Sequence, residues 1–421
     1  MKILGLTTGK HIIVKAGSLF DGTGSRVRDR VDIYIEGQRV YSIEPNRKGG
    51  ESPGASPADF DRLNPSGRTN DGPRHMEVVD LSHCTLLPGL VDCHVHLALD
   101  GRDFNDSLAR WENRAEFTEL VNENLSGALA KGIAGVRDGG DLKGLTLRHR
   151  NEIARGNFPG PHIKCSGWAI GKKGKYGSFL GPGYIPCQLP DSIRRLAASG
   201  ADQIKVLVSG VVSFSCYGRV GELQFSQGEL NNIVDLAREY GLPVMAHASS
   251  EQAVKLAVRA GVNSVEHGYF ISRASLEEMA EKGISWIPTL VPVANQVKGD
   301  RRKSYSPEQI EIIENTYRRQ QKMLAMAVEM GVPLGVGTDA GAGGVPHGAG
   351  YLEEMMLYRE AGLSEEVILK AATSAGAAIS GFREIGRIEP GNKAFMIAVR
   401  GNPLEDLNCL KEIEYLFLPR G

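Results

Sequence analysis

Apolar and polar positions take up three textures along this chain. Over roughly the first 43 residues they alternate in short runs, HIIVKAG and then VDIYIEGQRVYSIEP, the period-two pattern of half-buried β-strands. Gly37 and Gln38 sit at the turn between two of these runs. Within residues 45–73 the stretch GGESPGASPADFDRLNPSGRTNDGP is crowded with Gly, Pro, Ser, Asp and Asn, too poor in apolar surface to order itself, so a flexible surface loop is expected. Strand character returns in HMEVVDLSHCTLLPG.

After Pro88 short apolar or β-branched runs alternate with segments of helical periodicity, the signature of repeated βα units around a parallel sheet. Eight candidate strands stand out: Leu90–His96, Gly135–Asp138, His162–Ser166, Gln203–Val208, Val244–His247, Ser264–His267, Ser285–Pro288 and Leu334–Asp339. Eight units predict an α/β fold of the (β/α)8 TIM-barrel kind. The helices between them include SQGELNNIVDLAREYG, where Ser226 and Glu229 have capping-box spacing, and SPEQIEIIENTYRRQQKMLAMAVEMG. The closing EIGRIEPGNKAFMIAVRGNPLEDL is again turn and strand. The expected division is therefore 1–87 and 384–421 as the two parts of a small composite β-sandwich domain, with 88–383 as the barrel.

Composition narrows the class of partner. The 421 residues are 41% hydrophobic and 24% charged, as in ordinary globular proteins. Lys and Arg number 49 against 50 Asp and Glu, so no global field draws nucleic acid or an anionic membrane, and a small molecule is the default partner. No run approaches roughly 18 uninterrupted apolar residues, and the start lacks the apolar core and cleavage site of a signal peptide. Six cysteines, Cys84, Cys93, Cys165, Cys187, Cys216 and Cys409, lie scattered without a CxxC pair, which reads as reduced thiols in the cytoplasm.

In a barrel of this kind chemistry gathers at the C-terminal ends of the strands. His94 and His96 end LPGLVDCHVH, two residues apart and so on one face of a strand. His247 ends PVMAH, His267 ends NSVEH and Asp339 ends PLGVGTD, while Lys205 lies inside the apolar QIKVLV. A single strand-end histidine is more often a hydrogen-bonded structural residue than a ligand. Four placed alike, with a Lys and an Asp, point instead to one divalent-metal centre. A buried ammonium is costly and tends to lose its proton. The neutral amine of Lys205 could then take up carbon dioxide as a carbamate able to bridge two metals, whereas a lysine that snorkels to the rim or pairs with an acid stays an open alternative. Imidazole and carboxylate suit zinc, with manganese, iron or cobalt as further options. Two such ions would share a hydroxide of lowered pKa, and Asp339 would take its proton and hand it to the leaving group. His11, His75, His83, His149 and His162 are read as structural or exposed, and His347 is held open.

These residues also spell out a resemblance. PGLVDCHVH, ADQIKVLVSG, PVMAH, SVEHG and GVGTDAG, in that order, resemble the strand-1, strand-4, strand-5, strand-6 and strand-8 signatures of the amidohydrolase superfamily, in its binuclear carboxylated-lysine subgroup. GRIEPGNKAFMIAV followed by GNPLED resembles its closing β segment, with Ala394-Phe395 where an Ala-Asp pair is usual. The resemblance covers nearly the whole chain. It implies that His94, His96 and Asp339 hold the more buried metal, His247 and His267 the more exposed one, and carboxylated Lys205 bridges them.

Within the superfamily the chain looks most like prolidase-type carboxypeptidases, with related amide and carbamate hydrolases and the imidazolonepropionase type close behind. The implied reaction is hydrolysis of an amide-type C–N bond in an N-acyl amino acid, a dipeptide or a carbamate. Those peptidases typically carry a Gly-Gly-His stretch after strand 3 and a Tyr just after the strand-5 His. This chain has SGWAIGKKGKYGSFLGPGY in the first place and AHASSEQ, with Ser249, in the second. Lys172, Lys173, Lys175 and Tyr176 are candidates for a replacement anion clamp, and Tyr217, Arg219 and His347 are further substrate-binding candidates. A mononuclear deaminase or imidazolone-type hydrolase, which would not use Lys205, is the first alternative. A lactone or phosphotriester hydrolase on the same metals and a non-catalytic scaffold are the others. A homo-oligomer built through the barrel helices is left open.

Overall fold

A computed structural model of the chain describes residues 1–24, 27–46, 76–156 and 158–419. The loop expected over 45–73 lies, from residue 47 onward, outside the described residues. Two compact units divide the chain, Met1–Gly89 with Arg383–Gly421 as one and Leu90–Phe382 as the other.

The first unit is built on strands β1 (Lys2–Leu6), β2 (His11–Leu19), β3 (Arg28–Glu36), β4 (Arg39–Pro45) and β5 (Met76–Pro88), with β13 (Met396–Arg400) and β14 (Ile413–Pro419) from the other end of the sequence. Hydrogen bonding joins them in one mixed seven-stranded sheet, in the order β1-β14-β13-β5-β2-β3-β4. The period-two pattern read from the sequence sorts the faces. Ile12, Val14, Ile33, Ile35, Leu81, Leu86, Met396 and Phe417 pack into one core, while the alternate Ile13 and Tyr34 pack with Tyr41 and Met76. The Gly37-Gln38 turn links β3 to β4, and Gly37 has φ +60°, a conformation that glycine adopts without penalty.

In the second unit, strands and helices alternate as the texture after Pro88 predicts. Strands β6 (Leu90–Val95), β7 (Ile133–Asp138) and β8 (His162–Cys165) form one parallel sheet. A second parallel sheet holds β9 (Ile204–Leu207), β10 (Val244–Ala248), β11 (Ser264–His267) and β12 (Ser285–Ile287). Apart from β8, these strands are buried at every residue, which is why they read as nearly continuous apolar runs. Helices follow them, among them Gln227–Glu239 and Pro307–Glu329. Ser226 and Glu229 make the expected reciprocal cap, with the Ser226 amide donating to Glu229 Oε2 at 2.8 Å and the Glu229 amide donating to Ser226 Oγ at 3.3 Å.

The eighth expected strand, Leu334–Asp339, is a correction. The segment makes only isolated parallel bridges, Leu334 with Trp286 and Ala340 with Val95. It still lies alongside both neighbours, since the Cys93 amide donates to Val336 O at 2.8 Å, Asp339 N to His94 O at 2.7 Å and Trp286 N to Pro333 O at 2.9 Å. Its ladder is broken because the Thr338 amide donates to the Asp92 carboxylate at 3.0 Å instead of to a strand carbonyl. Gly337 is pressed so closely that a Cβ there would sit 2.4 Å from Ile287 Cγ2. Between β8 and β9, Asp202 N donates to Cys165 O at 2.9 Å, and further along Ile170 exchanges hydrogen bonds of 2.7 and 2.9 Å with Lys205 and Leu207.

Candidate metal centre

Of the six residues expected at a metal centre, the four histidines stand at or just past strand ends of the second unit, Lys205 lies within β9 and Asp339 in the segment between β12 and β6, and all are buried or nearly so. His94 and His96 leave β6 on the same side. Lys205 pairs in register with Met245, and His247 follows two residues later on β10. His267 closes β11 opposite Ala248. The imidazole rings of His94 and His267 are 5.0 Å apart, those of His247 and His267 4.5 Å, and those of His94 and His96 5.4 Å. Lys205 Nζ is 3.1 Å from His94 Nε2.

The donor atoms fit a divalent ion. Asp339 Oδ1 lies 3.4 Å from His94 Nε2 and 3.4 Å from His96 Nε2. A tetrahedral ion bound at about 2.0–2.1 Å by imidazole and carboxylate sets its donors about 3.3–3.4 Å apart, so this trio needs little rearrangement. The backbone is strained at the same place. Among the described residues four non-glycines have positive φ, and three of them are His267 (+68°), Thr289 (+50°) and Asp339 (+54°). Such conformations cost energy and persist where surrounding contacts impose them.

Those contacts aim the imidazoles. Glu266 Oε2 is 3.0 Å from His94 Nδ1, an ion-pair distance without hydrogen-bond alignment, and its negative charge favours a proton on that nitrogen over one on Nε2. Glu266 is itself held by Arg137, whose Nη2 donates to both carboxylate oxygens at 2.9 and 3.0 Å. Arg137 also donates to Cys93 O at 2.6 Å and Ser264 Oγ at 2.9 Å. Thr289 Oγ1 lies 2.7 Å from His267 Nδ1 and plays the corresponding part there. Asp92 ties the Asp339 segment to β6, accepting from Thr338 Oγ1 at 2.6 Å as well as from its amide.

Electrostatics suit cation binding. Burial draws all four imidazoles down, with Lys205 or a neighbouring ring adding to it; His96 and His247 fall to about 3, and His94 and His267 lie well below the usual histidine range. They are neutral near pH 7, the form in which an imidazole can bind a metal. Burial also pulls the Lys205 ammonium down, against the opposing pull of Glu266 and Asp339, and pushes the Asp339 carboxyl up.

Two cavities open onto this cluster. One of about 220 Å³ is lined by His96, Lys205, His247, His267 and Asp339 together with Tyr176, Phe214 and Tyr269. The other, of about 440 Å³, shares His96, Tyr176 and Asp339 with it. Tyr176 therefore borders the cluster, its ring 5.6 Å from that of His247. Arg219 lines a third cavity, of about 640 Å³, which Tyr176 also borders. Tyr217 is 49% exposed, packs edge-on against Phe270 at 5.6 Å and lines none of these cavities. His347 is buried with Nε2 2.9 Å from Leu99 O and also lines none of them. Lys172 and Lys175 are engaged in ion pairs with Glu229 and Glu222. The sequence reading passed over Asp92, Arg137, Glu266, Thr289 and Tyr269. Arg137 carried a signal, a cation inside the otherwise apolar IAGVRD strand, of the same kind that singled out Lys205.

The chain belongs to the amidohydrolase family, whose model matches residues 85–417. It is a hydrolase acting on carbon–nitrogen bonds. It is 26% identical over 358 residues to an ochratoxinase of Aspergillus niger, covering 78% of this chain and 72% of that protein. It is also 24% identical over 351 residues to an imidazolonepropionase of Methylobacterium sp. (strain 4-46), covering 75% and 79%. Among solved structures it is similar to a Xaa-Pro dipeptidase with bound methionine in its active site, at 26% identity and a TM-score of 0.79 over 98% of this chain and 100% of that one.

Proposed function

We propose that the protein is a binuclear metal-dependent amidohydrolase that cleaves an amide-type C–N bond in an N-acyl amino acid, a dipeptide or a carbamate. The observation that carries this reading is the meeting of His94, His96, Asp339, Lys205, His247 and His267 at one buried point, with Asp339 Oδ1 3.4 Å from two imidazole nitrogens. His94, His96 and Asp339 would hold one ion, His247 and His267 the second, and Lys205, as its carbamate, would bridge them. Zinc is the best match to this donor set, with manganese, iron or cobalt accommodated by the same ligands. The strand order and the bonds that join β12, the 334–340 segment and β6 support a closed (β/α)8 barrel over 88–383, with 1–87 and 384–421 forming the composite β domain. Six cysteines without a disulfide support a reducing, cytoplasmic setting.

When bound, the metals supply an activated water and polarise the scissile carbonyl. Asp339 accepts the proton of that water and delivers it to the leaving nitrogen. Glu266 and Thr289 hold the His94 and His267 rings in the orientation that this requires. Tyr176 and Tyr269 wall the site and limit the water that reaches it. The ochratoxinase and dipeptidase likenesses support an amide or peptide substrate.

The test is a kinetic screen of N-acyl amino acids, dipeptides, carbamates and lactones with zinc-loaded protein, paired with Asp339→Asn. Turnover of C–N substrates that Asp339→Asn abolishes is the expected result. Undiminished turnover in that variant overturns the assignment. A metal titration separates the mononuclear alternative, which would saturate at one ion per chain.

A further inference from the structure

The cavity of about 440 Å³ beside the metal centre is built unlike the one directly over the ligands. Besides His96 and Asp339 it is lined by Arg102, Arg301, Leu99, Phe104, Tyr176 and Phe179. Arg301 lies on the short helical segment Gly299–Ser304 and is only partly exposed. Its neighbours Arg302 and Lys303 are paired with Glu314 and Asp300, at 3.2 and 2.6 Å. Arg301 has no carboxylate partner among the described residues. Its one side-chain hydrogen bond among the described residues is a long one, to Gln296 Oε1 at 3.4 Å. A guanidinium offers five N–H donors in a planar fork, so most of this one's capacity is left for a ligand.

The guanidinium is also held in place. It rests on the bare backbone of the glycine loop after Asp339: a Cβ on Gly344 would lie 2.6 Å from Arg301 Nε, and one on Gly343 3.6 Å from its terminal nitrogens. That loop is pinned by Asn295 Nδ2 donating to Gly344 O at 3.1 Å and Gln296 Nε2 donating to Gly343 O at 3.3 Å. Tyr305 donates to Gln296 Oε1 at 2.8 Å and steadies the acceptor of Arg301. Arg102 is a second, exposed cation on the wall, also without an ion pair among the described residues. Among the described residues the one carboxylate lining this cavity is Asp339, at the candidate metal centre. Beside the cations stands an apolar shelf. Phe104 is 46% exposed and meets Phe179 edge to face at 5.1 Å, and Phe179 in turn meets Tyr176 at 6.0 Å.

We propose that this cavity binds the part of the substrate that carries a carboxylate, with Arg301 as its fork-shaped clamp, Arg102 as a supplementary cation, and Phe104 and Phe179 receiving an aromatic or large apolar group. The proposal rests on the amidohydrolase reading of the adjoining centre and narrows it. An N-acyl amino acid or dipeptide with an apolar side chain fits this wall, whereas a neutral carbamate leaves the arginines unanswered. It assigns the anion clamp to the segments after β12 and after β6, and away from the lysines at 172–175, two of which are already paired.

The test measures binding of 3-phenylpropionate and of its neutral counterpart 3-phenylpropionamide to the metal-loaded full chain by calorimetry, then repeats both after chelation. The carboxylate is expected to bind about tenfold or more tighter than the amide, the range for a charge-assisted bidentate contact. Arg301→Gln should erase that preference, Arg301→Lys should restore part of it, and Phe104→Ser should weaken both ligands alike. The preference should survive chelation. Equal binding of acid and amide, no binding of either, or a preference that disappears on chelation and ignores Arg301→Gln overturns the proposal. Because no turnover is read, its failure is separable from failure of the hydrolase reading, which Asp339→Asn tests.

Discussion

Arg137 and Glu266 form an ion pair beneath His94 in which both side chains are almost fully buried, 4% and 0% exposed. Arg137→Met would strip four hydrogen bonds and leave the buried Glu266 carboxylate without its partner. Removing one member of a buried pair costs about 3–5 kcal/mol, because the survivor keeps its desolvation penalty and loses the attraction that offset it. For a unit of this size that is a fall in Tm of about 6–20 °C, read by calorimetry at fixed metal concentration. The companion double variant Arg137→Met with Glu266→Met removes both charges and should be markedly less destabilised than the sum of the singles. Metal affinity should fall about 10–100-fold in every variant lacking Glu266, since His94 then loses the carboxylate beside its Nδ1. A Tm change under about 2 °C in Arg137→Met, or strictly additive singles, would refute the argument that this pair carries the His94 side of the site.

Other outcomes follow from the same geometry. Asp339→Asn should lower kcat by about 100- to 10,000-fold with the far-ultraviolet dichroism unchanged, the range for loss of a positioned acid–base group. Chelation should abolish turnover, and reconstitution should recover it in proportion to two ions per chain, with labelled bicarbonate appearing as a carbamate signal at Lys205; recovery at one ion without bicarbonate would point to the mononuclear reading. Gly337→Ala would drive its Cβ to 2.4 Å from Ile287 and 3.1 Å from His94, so a loss of about 1–3 kcal/mol is expected by thermal unfolding. Glu354 accepts from the Leu290 and Val291 amides at 2.8 and 2.7 Å, and burial pushes its carboxyl from 4.5 up to about 8. The folded chain then keeps a proton that the unfolded chain releases, so this group's contribution is full below about pH 4.5 and is lost as pH rises through about 8. Glu354→Gln should flatten the stability profile across that window, and an unchanged slope would show that Glu354 is ionised in the folded state.

Six residues could be read from the sequence as one centre because each interrupts or ends an apolar strand, where a polar side chain is costly unless it has a partner or a ligand. The alternation of βα units and the Ser226 cap were legible for a similar reason, since period and capping are local. What holds the ligands was not. Glu266 reaches His94 across 172 residues of sequence, and Arg137 spans from Cys93 to Ser264. No local pattern encodes such pairings.

Local sequence thus determined seven of the eight strands expected after Pro88, the faces they bury and the polar residues near their ends, because these follow from backbone periodicity and the cost of burying unpaired polar groups. The tertiary structure decided the rest. It turned the Thr338 amide to Asp92 and so broke the ladder of the last expected strand. It set Asp339 at equal distances from His94 and His96. It paired Lys172 with Glu229 and Lys175 with Glu222 and left Arg301 without a carboxylate partner among the described residues, the contrast on which the proposed clamp rests. These are matters of which side chains meet across long loops, and only packing in three dimensions settles them.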